Sequence, residues 1–247
     1  MSEGVWDRQR SSFGAAAAAY ERGRPGYPPE ALDWLLPAGV RRVLDLAAGT
    51  GKLTRLLVTR GLDVVAVEPS AGMRAEFARV LPGVPVLAGE AEYIPLDDGA
   101  VDAVLVAQAW HWVDPERACS EIARVLTPGG RLGLVWNMRE PADGWVAELE
   151  HLLDRTGEPH GVDEPAPEVV APFAPLEEHI VRWTDSTTAA AVLDLVASRS
   201  YVITMEPRRR ESLLAAVRDL VTTHPDVAGL ERLPLPYVAH CFRTSTP

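Results

Sequence analysis

The chain is short of cysteine, has a single lysine and contains no long apolar run, and each shortage excludes a class of protein. Two cysteines in 247 residues, Cys119 and Cys241, cannot build the disulfide framework of a small secreted domain and fit a reducing compartment. Basic residues number 24 against 35 acidic ones, a formal charge of −11, so nucleic acid is not an expected partner. Only Lys52 is a lysine; the other basic residues are arginines. No stretch approaches the roughly 20 apolar residues that span a bilayer. The start, Met1 to Ser12, mixes charge with serine and does not read as a secretory signal. A cytoplasmic protein with no membrane partner is expected. The histidines are scattered, and no His/Cys/carboxylate grouping has metal-ligand spacing, so no metal site is expected.

What is present points to an α/β protein. Hydrophobic residues make up 47% of the chain, enough for a sizeable core, and the length suits one large domain or one with a smaller appendage. From Arg41 to Trp136, short β-branched runs alternate with helix-period stretches, the mark of βαβ units in a parallel sheet. Strands are expected at Val43 to Leu46, Val64 to Val67, Val84 to Ala88, Val101 to Val106, Arg131 to Trp136, Ile180 to Trp183 and Tyr237 to Phe242. The fold expected is a doubly wound, mostly parallel seven-stranded sheet with helices on both faces. Gly61 sits where a helix would end, Ser70 where one would begin, and Pro128-Gly129-Gly130 is read as the turn before the fifth strand. Gly157 to Pro175, rich in proline and acid, is a loop or lid candidate.

In a doubly wound sheet, ligands bind beyond the carboxyl ends of the strands. After the first strand comes Asp45-Leu46-Ala47-Ala48-Gly49-Thr50-Gly51, whose small residues let a ligand lie against the backbone near a helix N-terminus. A plain tight turn has the same composition, and both readings stand. After the second strand comes Glu68, which can accept two ribose hydroxyls or simply open the Pro69-Ser70 helix cap. Together the two features point to a nucleoside-bearing cofactor. The dinucleotide fingerprint would need a third glycine where Thr54 stands, and no Walker pattern is present. A ligand with a ribose and an anionic group but no phosphates fits better.

Asp45-x-Ala47-x-Gly49-x-Gly51 with Glu68 resembles the S-adenosylmethionine site of class I methyltransferases. Gly89-Glu90-Ala91-Glu92-Tyr93-Ile94-Pro95-Leu96, then Val101-Asp102-Ala103-Val104, then Pro128-Gly129-Gly130-Arg131-Leu132, resemble in order the motifs of their small-molecule type 11 branch. The resemblance implies S-adenosyl-L-methionine as cofactor and divides the chain into three stretches of one domain. These are a helical cap over 1–40, the cofactor-binding core over 41–137, and over 138–247 the rest of the sheet with helices covering the acceptor. It implies that Asp45, Ala47, Gly49 and Gly51 hold the methionine part, Glu68 and Pro69 the ribose side, and Glu90 with the Ala91 amide the adenine edge. Gln108 completes the set. The family commonly has glycine at position 47. Met73 either packs on the adenine or belongs to the core stripe of its helix. Tyr20-Glu21-Arg22-Gly23-Arg24-Pro25-Gly26-Tyr27-Pro28 resembles the segment folding over the cofactor, with Tyr20 and Arg24 as contacts, and reads equally as a proline-rich connection.

Methyl transfer from a sulfonium needs the acceptor atom in line at near-attack distance, a positioning effect of up to about 10 kcal/mol. A catalytic triad is not expected. His111, in Gln108-Ala109-Trp110-His111-Trp112, is the candidate general base, its ordinary pKa of about 6.5 suiting the task; otherwise it fixes the loop. Trp110, Trp112 and Trp136 suggest a partly apolar or aromatic small-molecule acceptor. Arg199-Ser200-Tyr201 resembles a substrate-side segment in which Arg199 anchors a carboxylate, the alternative being an exposed helix-end arginine. Two rivals are a nucleotide-linked oxidoreductase on a similar sheet and a non-catalytic, cofactor-binding regulator.

Overall fold

The computed structural model describes residues 17–140, 143–154, 156 and 166–246. The signal reading of the N-terminus and the first half of the lid candidate lie outside them. Two compact units emerge. One comprises Gly26–Asn137, Glu164–Val181 and Val238–Pro247, hereafter the sheet unit; the second comprises Met1–Pro25, Met138–Asp163 and Arg182–Tyr237.

Seven strands form one sheet: β1 Arg42–Leu46, β2 Asp63–Val67, β3 Val86–Leu87, β4 Val101–Ala107, β5 Leu126–Arg139, β6 Glu177–Thr187 and β7 Leu233–Ser245. Their order is β3-β2-β1-β4-β5-β7-β6. The pairs β1 with β2, β1 with β4, β2 with β3 and β4 with β5 are parallel. The expected doubly wound class is what is found. The strand order reverses between β1 and β4, so the crevice used by such sheets opens beyond these two strands. Four of the five residues in β1 and in β2 are buried, as expected for strands covered on both faces.

Local signals explain the helices of this unit. Helix α3, Lys52–Thr59, buries Leu53 and Leu57 and ends at Gly61, whose φ of +77° disfavours other residues and whose amide donates to the Val58 carbonyl at 2.9 Å. Helix α4, Ala71–Val80, starts at Ser70, whose hydroxyl accepts from the Met73 amide at 3.4 Å. Helix α5, Pro115–Val125, is capped by Asp114 and has proline in its first turn. The Pro128-Gly129-Gly130 turn, expected ahead of the fifth strand, falls inside it. Leu126 already pairs with Val101, and the next partner of β4 is Arg131, so the turn bulges out of a ladder that closes again behind it.

In the second unit, helices α1 Ala17–Gly23, α6 Trp145–Asp154, α7 Ala189–Ala197, α8 Ser200–Ile203 and α9 Pro207–Thr223 supply most of a separate core; α2, Pro29–Leu35, belongs to the sheet unit. Leu149, Leu153, Val192, Val196, Val202 and Val217 are fully buried in that core. Gly23 lets α1 lie against α7, since a Cβ there would stand 2.1 Å from the Leu195 nitrogen. Cys119 and Cys241 are buried free thiols, and burial pushes Cys241 up to about 12, far from the reactive thiolate. Among the described residues no helix is long and apolar enough to cross a membrane.

Candidate functional site

The carboxyl ends of β1 and β2 are tied together by backbone. Ala47, Gly49 and Gly51 have φ of +58°, +56° and +88°, so the loop repeatedly enters the left-handed region. Glycine enters it without strain, whereas a side chain costs about 1–2 kcal/mol. Ala47 bears that cost in a segment held on both sides, with the Ala48 amide donating to the Val67 carbonyl at 3.1 Å. Gly51 serves packing as well as conformation: a Cβ there would meet Leu81 at 2.5 Å and Phe77 at 2.9 Å. Its amide donates to the Ala48 carbonyl at 2.9 Å.

Glu68 is the clasp of this loop. Only 6% exposed, it accepts the Gly49 amide at Oε2 at 2.9 Å and the Ser70 amide at Oε1 at 2.8 Å. One carboxylate therefore joins the glycine loop to the start of α4. The Glu68 amide in turn donates to Leu87 of β3 at 3.0 Å, so the clasp is also fixed to the neighbouring strand end.

Beneath the loop, Asp45 is buried, and its Oδ2 accepts the Thr54 hydroxyl at 2.5 Å. Thr54 occupies the position where the dinucleotide fingerprint would carry glycine, and that position is used for a donor. Burial raises the Asp45 pKa to about 7, against the lowering effect of Thr54. Asp45 Oδ1 is buried with no hydrogen-bond partner among the described residues. An orphaned carboxylate oxygen beside a left-handed loop suits a cationic donor such as the ammonium of an amino-acid moiety, whose charge would return the aspartate to its ionised form.

Beyond β3, Glu90 and Tyr93 close a tight turn through reciprocal backbone bonds of 3.3 and 3.2 Å. Glu90 is exposed and Ala91 buried. Two residues that no sequence motif singled out brace the segment from Ile94 to Leu96. Arg124 donates to the carbonyls of Ile94 at 2.9 Å and Leu96 at 2.8 Å, and Glu121 accepts the Ile94 amide at 2.9 Å. Their i,i+3 spacing on α5 was the available signal.

At the end of β4, Gln108 is the second non-glycine residue with a left-handed backbone, φ +59°. Its amide donates to Val135 at 2.9 Å and its side chain to the Asn137 carbonyl at 3.0 Å. Trp110–Trp112 forms a single 3-10 turn, with Trp110 Nε1 donating to the Glu168 carbonyl at 2.9 Å. The His111 ring lies 4.7 Å from that of Trp112. Burial pushes its pKa down to about 4. Met73 is 4% exposed, on the buried stripe of α4 with Phe77.

The structure thus brings Asp45, Ala47, Gly49, Gly51, Glu68, Pro69, Glu90, Ala91 and Gln108 to the carboxyl ends of the adjacent strands β1, β2, β3 and β4. Tyr20 and Arg24 belong to the second unit, where the Arg24 guanidinium lies 5.2 Å from the Tyr20 ring centroid. Among the described residues no group of three or more His, Cys, Asp or Glu side chains could hold a metal ion.

A Rossmann-like sheet with an acidic residue after β2 and a left-handed small-residue loop after β1 is the setting in which doubly wound proteins take nucleoside-bearing ligands. The family profile of a methyltransferase domain matches residues 44–134. An uncharacterized methyltransferase of Mycobacterium tuberculosis is 58% identical over 234 residues, 95% of each chain. One of Schizosaccharomyces pombe is 31% identical over 230 residues, 90% of this chain and 92% of that one. A solved structure from Anaeromyxobacter dehalogenans, described as a type II methyltransferase, has a TM-score of 0.57 at 25% identity and covers 90% of this chain and 97% of that one. The chain belongs to the S-adenosylmethionine-dependent methyltransferases.

Proposed function

We propose that this methyltransferase acts on a small, partly apolar or aromatic molecule in the cytoplasm, by direct one-step transfer without a metal. One observation carries the placement of the cofactor: the left-handed loop from Ala47 to Gly51, its Glu68 clasp and the orphaned Asp45 Oδ1 meet at the switch point of the sheet. S-adenosylmethionine, when bound, supplies a methyl group already activated on a sulfonium. Glu68 accepts the ribose hydroxyls beside Pro69, Asp45 Oδ1 accepts the ammonium, and Glu90 with the Ala91 amide reads the adenine edge. Ala47, Gly49 and Gly51 shape the backbone against the methionine part, Gln108 closes the β4 side, and Met73 packs beneath the adenine. Tyr20 and Arg24 are assigned to the covering segment.

His111 is assigned as the proton acceptor for an acceptor group that must be deprotonated. With its pKa lowered, it is the neutral imidazole at pH 7 and so competent, though a weaker base than an ordinary histidine. A relative named demethylmenaquinone methyltransferase, from Beutenbergia cavernae, is 37% identical over 159 residues, 62% of this chain and 63% of that one, and supports the small-molecule reading.

Calorimetry with S-adenosylhomocysteine tests the placement. The wild type is expected to bind it, and Glu68→Ala to bind it more weakly by roughly 1–3 kcal/mol, the cost of stranding buried hydroxyls. Equal affinity in the variant removes the ribose role, and heat with NAD alone would replace the methyltransferase reading by the oxidoreductase.

A further inference from the structure

A cavity of about 570 Å³ opens in the sheet unit at the amino ends of its strands. Its lining joins the apolar side chains of Leu36, Pro37 and Leu62 to the arginines Arg60, Arg131 and Arg243. Leu62 immediately precedes β2, and Arg131 pairs with Ala103 of β4, which pairs in turn with Val43 near the start of β1. The length of β1, five residues and about 16 Å, therefore lies between this cavity and the left-handed loop at the carboxyl end.

Three arginines lining one cavity, in a chain of net charge −11, require counter-charge, and two of them have it nearby. Arg60 is locked by Asp33, 3.1 Å from its Nη2, and by the Pro29 carbonyl at 2.9 Å. Arg243 donates to Glu177 from Nε at 2.9 Å and Nη2 at 2.6 Å and to the Trp34 carbonyl from Nη1 at 2.8 Å. Its guanidinium also lies 4.2 Å from the Trp34 ring centroid. Arg131 is held differently. Its Nη1 donates to the Leu36 carbonyl at 3.2 Å, and among the described residues it forms no ion pair. Burial lowers its pKa, and the charge of Arg243 adds to the lowering while Glu177 opposes it. A half-buried guanidinium that lacks a carboxylate and feels a second guanidinium is stabilised by an anion set against both.

We propose that this cavity binds the phosphate of a soluble phosphomonoester whose organic body lies on Leu36, Pro37 and Leu62. The planar fork of arginine matches phosphate oxygens two at a time. A phosphomonoester carries nearly two negative charges and three acceptor oxygens, enough to answer Arg131 and Arg243 together. Arg131 offers the hydrogen bonds, and Arg243, held by Trp34 and Glu177, the second charge. The apolar lining selects an ester over the inorganic ion, because covering apolar surface adds to binding. This site is separate from the cofactor placement proposed above and does not rest on it.

The test is calorimetry on the full chain at pH 8, where a phosphomonoester is doubly charged, with phenyl phosphate, phenyl sulfate and inorganic phosphate. Phenyl phosphate is expected to bind at least fivefold more tightly than phenyl sulfate, which has a similar shape and less charge. It is expected to exceed inorganic phosphate, which lacks the ring, by the same factor. Arg131→Gln is expected to weaken phenyl phosphate tenfold or more, and Arg131→Lys to recover part of that loss. Ala38→Glu, at an exposed position of the lining, is expected to weaken it at least fivefold with an unchanged melting curve. Affinity for S-adenosylhomocysteine is expected to be the same with and without saturating phenyl phosphate. No binding of phenyl phosphate at about 10 mM, equal affinity for the sulfate, or unchanged affinity in folded variants would each overturn the proposal. Displacement of S-adenosylhomocysteine by phenyl phosphate would overturn it too. Binding only to vesicles containing phosphatidic acid would assign the anion to a membrane and overturn the soluble source.

Discussion

The groups that gather beyond β1 and β2 are largely main chain: left-handed Ala47, Gly49 and Gly51, and the amides of Gly49 and Ser70 received by one carboxylate. Those of the second unit are side-chain tips, Arg24 on the Ser198 hydroxyl and Arg139 on Glu150, carried by separate stretches of chain. A backbone site depends on φ and on where a Cβ would fall, so few residues are tolerated at each position. A side-chain cluster can be retuned one tip at a time without disturbing the scaffold.

Gly51→Val should break the backbone side of this contrast most severely. It adds a branched side chain at φ +88°, where even a Cβ meets Leu81 at 2.5 Å, and should cost roughly 4–6 kcal/mol in urea unfolding. Next comes the pH dependence imposed by Asp45. Its pKa is raised in the folded state, so its contribution is complete below about pH 4 and is lost as pH rises through about 7. Between those limits the wild type should lose about 4 kcal/mol relative to Asp45→Asn, and parallel stability curves for the two proteins would exclude a buried, proton-binding aspartate.

In the second unit, Arg139→Met strands Glu150 and should cost about 3 kcal/mol, most of it recovered by adding Glu150→Leu. The same loss in single and double variants would show that packing rather than charge is responsible. Ala47→Gly gives the smallest effect. Relief of left-handed strain should stabilise the protein by about 1 kcal/mol in the same unfolding assay and leave S-adenosylhomocysteine affinity unaltered, whereas a destabilised variant would mean that the methyl group packs usefully.

Much of the sheet unit could be read from the chain because its signals are local. β1 and β2 are apolar runs, Gly61 and Ser70 punctuate the helices, and the loop and its clasp lie within one βαβ unit. The later strands were less visible. β7 begins at Leu233 rather than Tyr237, since Pro234 and Pro236 discourage a strand assignment while the tertiary sheet still accommodates them, the Pro236 carbonyl accepting from Glu140 at 3.1 Å. β5 begins before its bulge because the pairing of Leu126 with Val101 depends on a partner strand about 25 residues away.

Composition and periodicity determined a doubly wound α/β sheet, and the resemblance of a handful of short motifs pointed to a methyltransferase. Such features depend on neighbours a few residues apart and leave a repeating trace. Only the tertiary structure decided that Thr54 donates to Asp45, that Ala47 accepts a left-handed backbone, that Arg124 braces the segment after β3, and that Arg24 reaches Ser198. Those outcomes depend on burial and on contacts between distant segments, and such contacts follow no period that the chain can display.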